Sequence, residues 1–206
     1  MSNIYLISPE KISVDVFEKD LIEILKTGLV KVFQLRLKGY DDICEIENIS
    51  LRLFEICQNY NCIFLVNDYL EIALKHKFNG VHLGQEDLLN NLDKINNLPS
   101  NFILGISCHD SLKLAFDAEK IGASYVAFGA FFATKTKKTK FQPKPEIIKE
   151  FNLKSSLPVV AIGGIDNNNC QELVKNGADF LAVISYIWQS KNPIKSLKLL
   201  HQNLTK

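Results

Sequence analysis

The chain lacks an excess of charge of either sign. Its 206 residues carry 24 lysines and arginines against 23 aspartates and glutamates, so the formal net charge is +1. Proteins that bind nucleic acid or anionic membranes over a whole face usually carry a strong basic excess. The composition therefore disfavours both classes, although a local basic cluster remains compatible with it.

Paired cysteines and an obvious leader are also missing. The five cysteines are odd in number and form no CxxC motif, which disfavours a disulfide framework and a structural zinc site. The N-terminal residues show no basic start followed by a long apolar core, so we expect no signal peptide. These features predict a cytoplasmic protein with reduced thiols.

Long apolar runs are absent. The longest, YVAFGAFFA at 125–133, is far shorter than the roughly 20 residues that a membrane-spanning helix needs. Short, nearly continuous apolar runs recur instead, which is typical of parallel strands buried on both faces. They are IYLIS (4–8), VFQLR (32–36), CIFLV (62–66), GVHLG (80–84), FILGIS (102–107), YVAFG (125–129), PVVAIGG (158–164) and FLAVIS (180–185).

Amphipathic segments separate these runs. In the segment 15–28, Phe17, Leu21, Ile24 and Leu25 recur at the spacing of one helical face. Eight strands alternating with helices, without a linker, predict a compact α/β fold, a single-domain (β/α)₈ TIM barrel over residues 1–206. The alternative is an open doubly wound sheet, which usually has a glycine-rich turn after its first strand, and IYLISPEK has none.

Polar residues follow the strands at the end where barrel enzymes carry their sites. In QLRLK at 34–38, Gln34, Arg36 and Lys38 alternate, so a strand directs all three to one face. Inside a barrel, the two cations require an anion. The alternative is a strand end that frays into solvent, with Lys38 already in the loop.

Two aspartates follow neighbouring strands. Asp68 comes after the third run and Asp87 after the fourth, and adjacent strands lie only about 5 Å apart. Few carboxylates with spare coordination sites are the usual arrangement for Mg²⁺ bound together with substrate phosphates. The alternative is that each aspartate caps the helix that follows it.

The last strands end in a phosphate-like pattern. Gly163-Gly164 follows the seventh run and Ile184-Ser185 the eighth, where barrels frequently bind phosphate through backbone N–H groups. The tract TKTKKTK at 134–140 follows the sixth run and is interpreted as a phosphate-binding loop at the barrel mouth. His82 and His109 are open to either a structural or a catalytic interpretation.

These motifs, in order over residues 34–188, resemble the thiamine-phosphate synthase family. They are QLRLK, NDYLEIALKHKFNGVHLGQEDL, LGISCHD, YVAFGAFFATKTK, VVAIGGI and GADFLAVISYIW. The resemblance implies a (β/α)₈ enzyme of thiamine biosynthesis that joins hydroxymethylpyrimidine diphosphate to thiazole phosphate with Mg²⁺. It implies small phosphorylated substrates, and it says nothing of the oligomeric state.

The resemblance also assigns the site residues. It implies Mg²⁺ binding by Asp68 and Asp87, and charge neutralisation on the leaving diphosphate by Arg36, Lys38 and Lys137. The pyrimidine diphosphate would be held by Gln34, Arg36, Lys38, Asn67, Ser107 and Lys137. The thiazole phosphate would be held by Thr134, Lys135, Thr136, Gly164, Ile184 and Ser185.

One departure concerns the loop after the sixth strand. Ala130 and Ala133 stand where the family usually has prolines, so we expect a loop that is less ordered before ligand binds. Three other functions are alternatives to the synthase. A related thiazole tautomerase has no need of the diphosphate-binding residues, and a non-catalytic phosphate-ligand sensor has no need of the metal pair. An RNA-binding role rests on KTKKTK alone.

Overall fold

The computed structural model describes residues 2–134 and 140–204. Within them, eight strands close into a barrel in chain order, and each strand is parallel to its neighbours. The barrel closes because β1 pairs with β8 as well as with β2. The (β/α)₈ prediction is confirmed, and the open-sheet alternative is wrong. The strands are β1 (Asn3–Ile7), β2 (Val30–Leu35), β3 (Ile63–Asn67), β4 (Gly80–Leu83), β5 (Ile103–His109), β6 (Tyr125–Gly129), β7 (Val159–Ile162) and β8 (Phe180–Val183).

The strand limits differ slightly from the predicted runs. β2 begins at Val30 because that residue pairs with Ile4, although the exposed Lys31 interrupts the apolar run. β5 continues to His109, which pairs with Phe128 across a register shift. Pairing with neighbouring strands therefore sets the ends of these strands, and the apolar runs alone do not predict those ends.

Helices cover the outside of the barrel. They are α1 (Val14–Leu25), α2 (Ile43–Asn59), α3 (Leu70–Lys75), α4 (Gln85–Leu89), α5 (Leu92–Ile95), α6 (Leu112–Lys120), α7 (Glu146–Asn152), α8 (Cys170–Lys175), α9 (Ser185–Trp188) and α10 (Pro193–Leu204). The predicted stripe of α1 is buried at all four positions. None of the helices in the described residues has the length and hydrophobicity of a membrane-spanning segment.

The alternation of side chains along each strand divides the core into two layers. On β1, Ile4 and Leu6 face the helices, whereas Tyr5 and Ile7 face the barrel interior. The interior layer includes the small residues Ala127 and Ala182. Because small side chains leave space that larger ones would fill, the barrel interior opens into a cavity at the carboxyl ends of the strands.

Candidate active site

A cavity of about 510 Å³ lies at the carboxyl ends of the barrel strands. Its volume is within the usual range for small-molecule sites, about 300–1,000 Å³. Every predicted site residue in the described part of the chain lines it: Gln34, Arg36, Lys38, Asn67, Asp68, Asp87, Ser107, Thr134, Gly164, Ile184 and Ser185. The predicted contacts of Lys135, Thr136 and Lys137 lie outside the described residues.

The cations of QLRLK project from a loop directly after β2. The strand ends at Leu35, so Arg36 and Lys38 follow it, yet both line the same cavity as the buried Gln34. The Arg36 guanidinium donates to Glu10 with a separation of 2.6 Å, and the Lys38 backbone N–H donates to the Glu10 carbonyl at 3.1 Å. Lys38 therefore lies in the loop, as the alternative interpretation predicted, but its side chain still lines the cavity.

The two aspartates form a carboxylate pair at the ends of β3 and β4. Burial raises the pKa of Asp87, and the charge of Asp68 and a hydrogen bond with Asp68 raise it further. Lys38 Nζ lies 2.5 Å from Asp68 Oδ2 and partly offsets the repulsion. Two neighbouring carboxylates of this kind suit a hard divalent cation that takes its remaining ligands from water and phosphate oxygens.

The capping alternative for the aspartates is not what the structure shows. Tyr69, and not Asp68, occupies the N-cap position of α3, and Asp68 has a backbone φ of 68°. Asp87 lies within the first turn of α4, whose N-cap is Gly84. Neither aspartate is an N-cap, and both carboxylates line the cavity, Asp68 from the end of β3 and Asp87 from the first turn of α4. No group of three or more metal-ligating side chains occurs in the part of the chain that the structure describes.

The double glycine after β7 allows two loops to approach closely. A Cβ on Gly163 would lie 2.3 Å from Ala130 Cβ, and one on Gly164 would lie 2.4 Å from the Ala133 carbonyl oxygen. Backbone bonds join the same loops, since Phe132 N–H donates to the Gly163 carbonyl at 3.0 Å. The glycines thus bring Thr134 to the rim that also holds Ile184 and Ser185.

The inner end of the cavity is a chain of buried hydrogen bonds. Gln34 Nε2 lies 2.6 Å from Asn67 Oδ1, and the Tyr5 hydroxyl lies 2.7 Å from Gln34 Oε1. The hydroxyls of Tyr5 and Tyr125 are 2.8 Å apart. His82 then joins Tyr125 through Nδ1 at 2.8 Å. Its Nε2 lies 2.9 Å from the hydroxyl of the last member, Ser107.

Burial governs the protonation of the side chains in this hydrogen-bonded series. It lowers the pKa of His82 to about 4, while the charge of Asp68 opposes that shift and the charge of Arg36 adds to it. Burial also raises the pKa of Tyr5 and of Tyr125. At neutral pH, His82 is therefore an uncharged imidazole and both tyrosines are phenols.

Comparison with known proteins now defines the family. The model of the thiamine monophosphate synthase family matches residues 4–187. The chain belongs to this family. A thiamine-phosphate synthase from Pelagibacter ubique is 40% identical over 199 residues, which cover 96% of this chain and 95% of that protein. One from Erythrobacter litoralis is 40% identical over 191 residues, covering 91% and 88%.

A solved structure gives the same result. The thiamine phosphate pyrophosphorylase from Pyrococcus furiosus superposes with a TM-score of 0.83 at 30% identity, covering 98% of this chain and 95% of that one. The resemblance that the motif series indicated is confirmed at the level of the thiamine monophosphate synthase family.

Two cavity residues, Tyr5 and Tyr125, were not predicted from the sequence. Tyr5 and Tyr125 line the cavity, and the available signal was a phenol inside an otherwise apolar strand. His82, left open above, is 9% exposed and belongs to the hydrogen-bond chain. His109 lines the rim, where its ring stacks on Phe141 with centroids 4.4 Å apart.

Proposed function

We propose that this chain is a thiamine-phosphate synthase. It would join 4-amino-2-methyl-5-hydroxymethylpyrimidine diphosphate to thiazole phosphate and release diphosphate. The observation that carries the proposal is one cavity lined by two cations, a carboxylate pair and a close-packed glycine loop. A single site for one small phosphate ester has no need of all three groups.

The cations and carboxylates hold the diphosphate end of the pyrimidine. Arg36 is paired with Glu10 and Lys38 with Asp68, so each cation has a neutralising partner before substrate arrives. Asp68 and Asp87 are the residues that would hold Mg²⁺, which supplies positive charge against the leaving diphosphate. Lys38 then exchanges Asp68 for a diphosphate oxygen, and the charge that develops there is stabilised.

The reaction is a substitution at the pyrimidine methylene carbon. The bond from that carbon to the diphosphate oxygen breaks, and diphosphate leaves with the bonding electron pair. The thiazole nitrogen then donates its lone pair to form the new carbon–nitrogen bond. The chain contributes by holding the two rings face to face, which makes the step effectively unimolecular. A covalent nucleophile is not required.

The opposite side of the rim suits the thiazole phosphate. Thr134, Gly164, Ile184 and Ser185 line this part of the cavity, and Gly164 has a φ of 62°. Glycine at such a position lets backbone groups come close to an anion. We also propose that the enzyme works in the cytoplasm, in keeping with its five free cysteines.

A fluorescence assay for thiamine phosphate, oxidised to thiochrome, tests the function. The protein is incubated with both phosphorylated substrates and Mg²⁺, and product is expected from the wild type. An Asp68→Ala, Asp87→Ala double variant should give none. The matched control removes two exposed carboxylates elsewhere, Asp20 on α1 and Asp93 on α5, and should retain activity.

Each other outcome identifies a different function. Absence of product from folded wild-type protein refutes the synthase. Isomerisation of the thiazole would then identify a tautomerase, and ligand binding without turnover would identify a sensor. Equal activity of the double variant and the wild type would refute the assignment of Asp68 and Asp87 as Mg²⁺ ligands and would leave the synthase activity standing.

A further inference from the structure

We propose that six side chains form a series of hydrogen bonds in which each member donates to the one before it: Asn67, Gln34, Tyr5, Tyr125, His82 and Ser107. Ser107, the last member, therefore presents only acceptor lone pairs to the cavity. The pocket would then select a ligand group that donates a hydrogen bond. Under the proposed function, on which this second part rests, that group is the exocyclic amine of the pyrimidine.

The direction is set at the β2–β3 end of the chain. Gln34 Nε2 donates to Asn67 Oδ1 at 2.6 Å, so its Oε1 faces the Tyr5 hydroxyl and accepts from it at 2.7 Å. A phenol has one proton to donate. Because Tyr5 has used its proton, the 2.8 Å contact with Tyr125 requires Tyr125 to donate.

The direction then passes through the imidazole. Tyr125 has used its single proton, so it can only accept from His82 Nδ1 at 2.8 Å. A buried imidazolium without a carboxylate hydrogen-bonded to the ring would be costly, and both ring nitrogens face hydroxyl groups. The neutral ring therefore carries its proton on Nδ1, and its bare Nε2 accepts from Ser107 at 2.9 Å.

Packing inside the barrel holds the Tyr125 phenol in position. Gly105 lies under the Tyr125 ring, where a Cβ would come within 2.0 Å of Cζ and 2.1 Å of the hydroxyl oxygen. Tyr5 and Tyr125 also meet edge to face, with ring centroids 6.0 Å apart. Because packing holds both rings, the hydroxyls have little freedom to exchange partners.

The consequence appears at Ser107, which lines the cavity. Its proton is committed to His82, so only oxygen lone pairs face a ligand. The aminopyrimidine has one donor group, its exocyclic amine, and the thiazole ring itself has none. His82 and Tyr125 act as positioning residues, since they set the polarity of Ser107 through the hydrogen bonds that join them.

The first test reads the proton position directly in ligand-free protein. Long-range proton–nitrogen NMR of ¹⁵N-histidine-labelled protein at neutral pH distinguishes the two neutral tautomers and the charged ring. The His82 signals are assigned by their loss in His82→Gln. A proton on Nδ1 alone is the expected result. A proton on Nε2, or on both nitrogens, overturns the proposal.

Variants test the coupling along the chain. Tyr125→Phe removes the acceptor for Nδ1–H, and the His82 proton should then redistribute to Nε2. Tyr60→Phe makes the same chemical change at the C-terminal end of α2, away from the cavity, and should leave the tautomer unchanged. If Tyr125→Phe does not fold, Tyr5→Phe tests the next bond. An unchanged tautomer in the folded Tyr5 or Tyr125 variant refutes the coupling.

Calorimetry with pyrimidine analogues tests the selection. In the presence of Mg²⁺, the 4-amino diphosphate should bind on the order of ten-fold or more tightly than the 4-oxo analogue, whose oxygen would face the Ser107 acceptor. Tyr125→Phe should narrow that ratio, and its kinetic defect should be mainly in KM. Equal affinity of the wild type for both analogues overturns the selection.

The two proposals fail in different ways. Protein that binds no pyrimidine diphosphate refutes both the synthase and the selection, while the NMR result still decides the proton direction. Protein that makes thiamine phosphate but carries the His82 proton on Nε2 keeps its function and loses this inference.

Discussion

Gly164→Ala tests whether the loop after β7 must lie against the loop after β6. Gly164 has a φ of +62°, and a Cβ there would lie 2.4 Å from the Ala133 carbonyl oxygen and 2.9 Å from the Phe132 carbonyl carbon. Gly28, after α1, has a φ of +67° with nothing within 4 Å of its Cβ position. Gly28→Ala is therefore a matched control with the same backbone conformation and no clash.

The expected magnitudes follow from that difference. An alanine in the left-handed region costs about 1–2 kcal/mol, and both variants incur this. Only Gly164→Ala adds the overpacking term, about 1–3 kcal/mol. We therefore expect it to lower the free energy of unfolding by about 2 kcal/mol more than Gly28→Ala. In a domain of this size, that corresponds to a further fall in Tm of about 4–8 °C.

Two measurements check the reasoning. Thermal denaturation followed by circular dichroism gives the two stabilities, and steady-state kinetics give the KM for thiazole phosphate. The KM should rise in the Gly164 variant and stay at the wild-type value in the Gly28 variant. Equal losses of stability would show that the β6 loop moves aside without cost. An unchanged KM would show that the phosphate does not depend on this loop.

Three further predictions concern the cavity. Gly105→Ala should destabilise the protein through its clash with the Tyr125 ring, and the loss should be much smaller in a Tyr125→Leu background, as a double-mutant cycle measures; additive losses would exclude the contact. Asp87→Asn should raise Tm at neutral pH in EDTA, because the raised pKa of Asp87 means that folding disfavours its charged form. The difference in Tm should shrink as the pH falls through the raised pKa, since wild-type Asp87 is then protonated. Added Mg²⁺ should raise the Tm of the wild type only. The same Tm for both proteins in EDTA would contradict the prediction. Glu10→Gln should lower the KM for the pyrimidine diphosphate, because the Arg36 guanidinium loses a competing anion; a higher KM would show that Glu10 instead positions Arg36.

Much of the fold was predictable because barrel strands are local patterns. Strands buried on both faces require continuous apolar runs, and each of the eight runs overlaps a barrel strand. The polar residues after them converge because the carboxyl ends of parallel strands form one rim. Gln34, Asp87 and Ser185, which are far apart in sequence, line one cavity for this reason.

Partners across the barrel were decided only by the tertiary structure. The pairing of Lys38 with Asp68 and of Tyr5 with Tyr125 depends on strand register and on closure. The capping interpretation of Asp68 was wrong because the helix begins one residue later than the local pattern indicates. The role of Gly163 in loop contact also needed the structure, because Ala130, which a Cβ there would meet, lies 33 residues earlier in the chain.

Local sequence patterns were enough to predict the barrel, its functional end and the types of polar group that gather there. Which groups touch, and which atoms donate protons, became known from the three-dimensional arrangement. The physical reason is that strand periodicity and burial are encoded over a few neighbouring residues. Hydrogen-bond partnership, by contrast, depends on placement to within about a few tenths of an ångström of residues that closure of the barrel brings together.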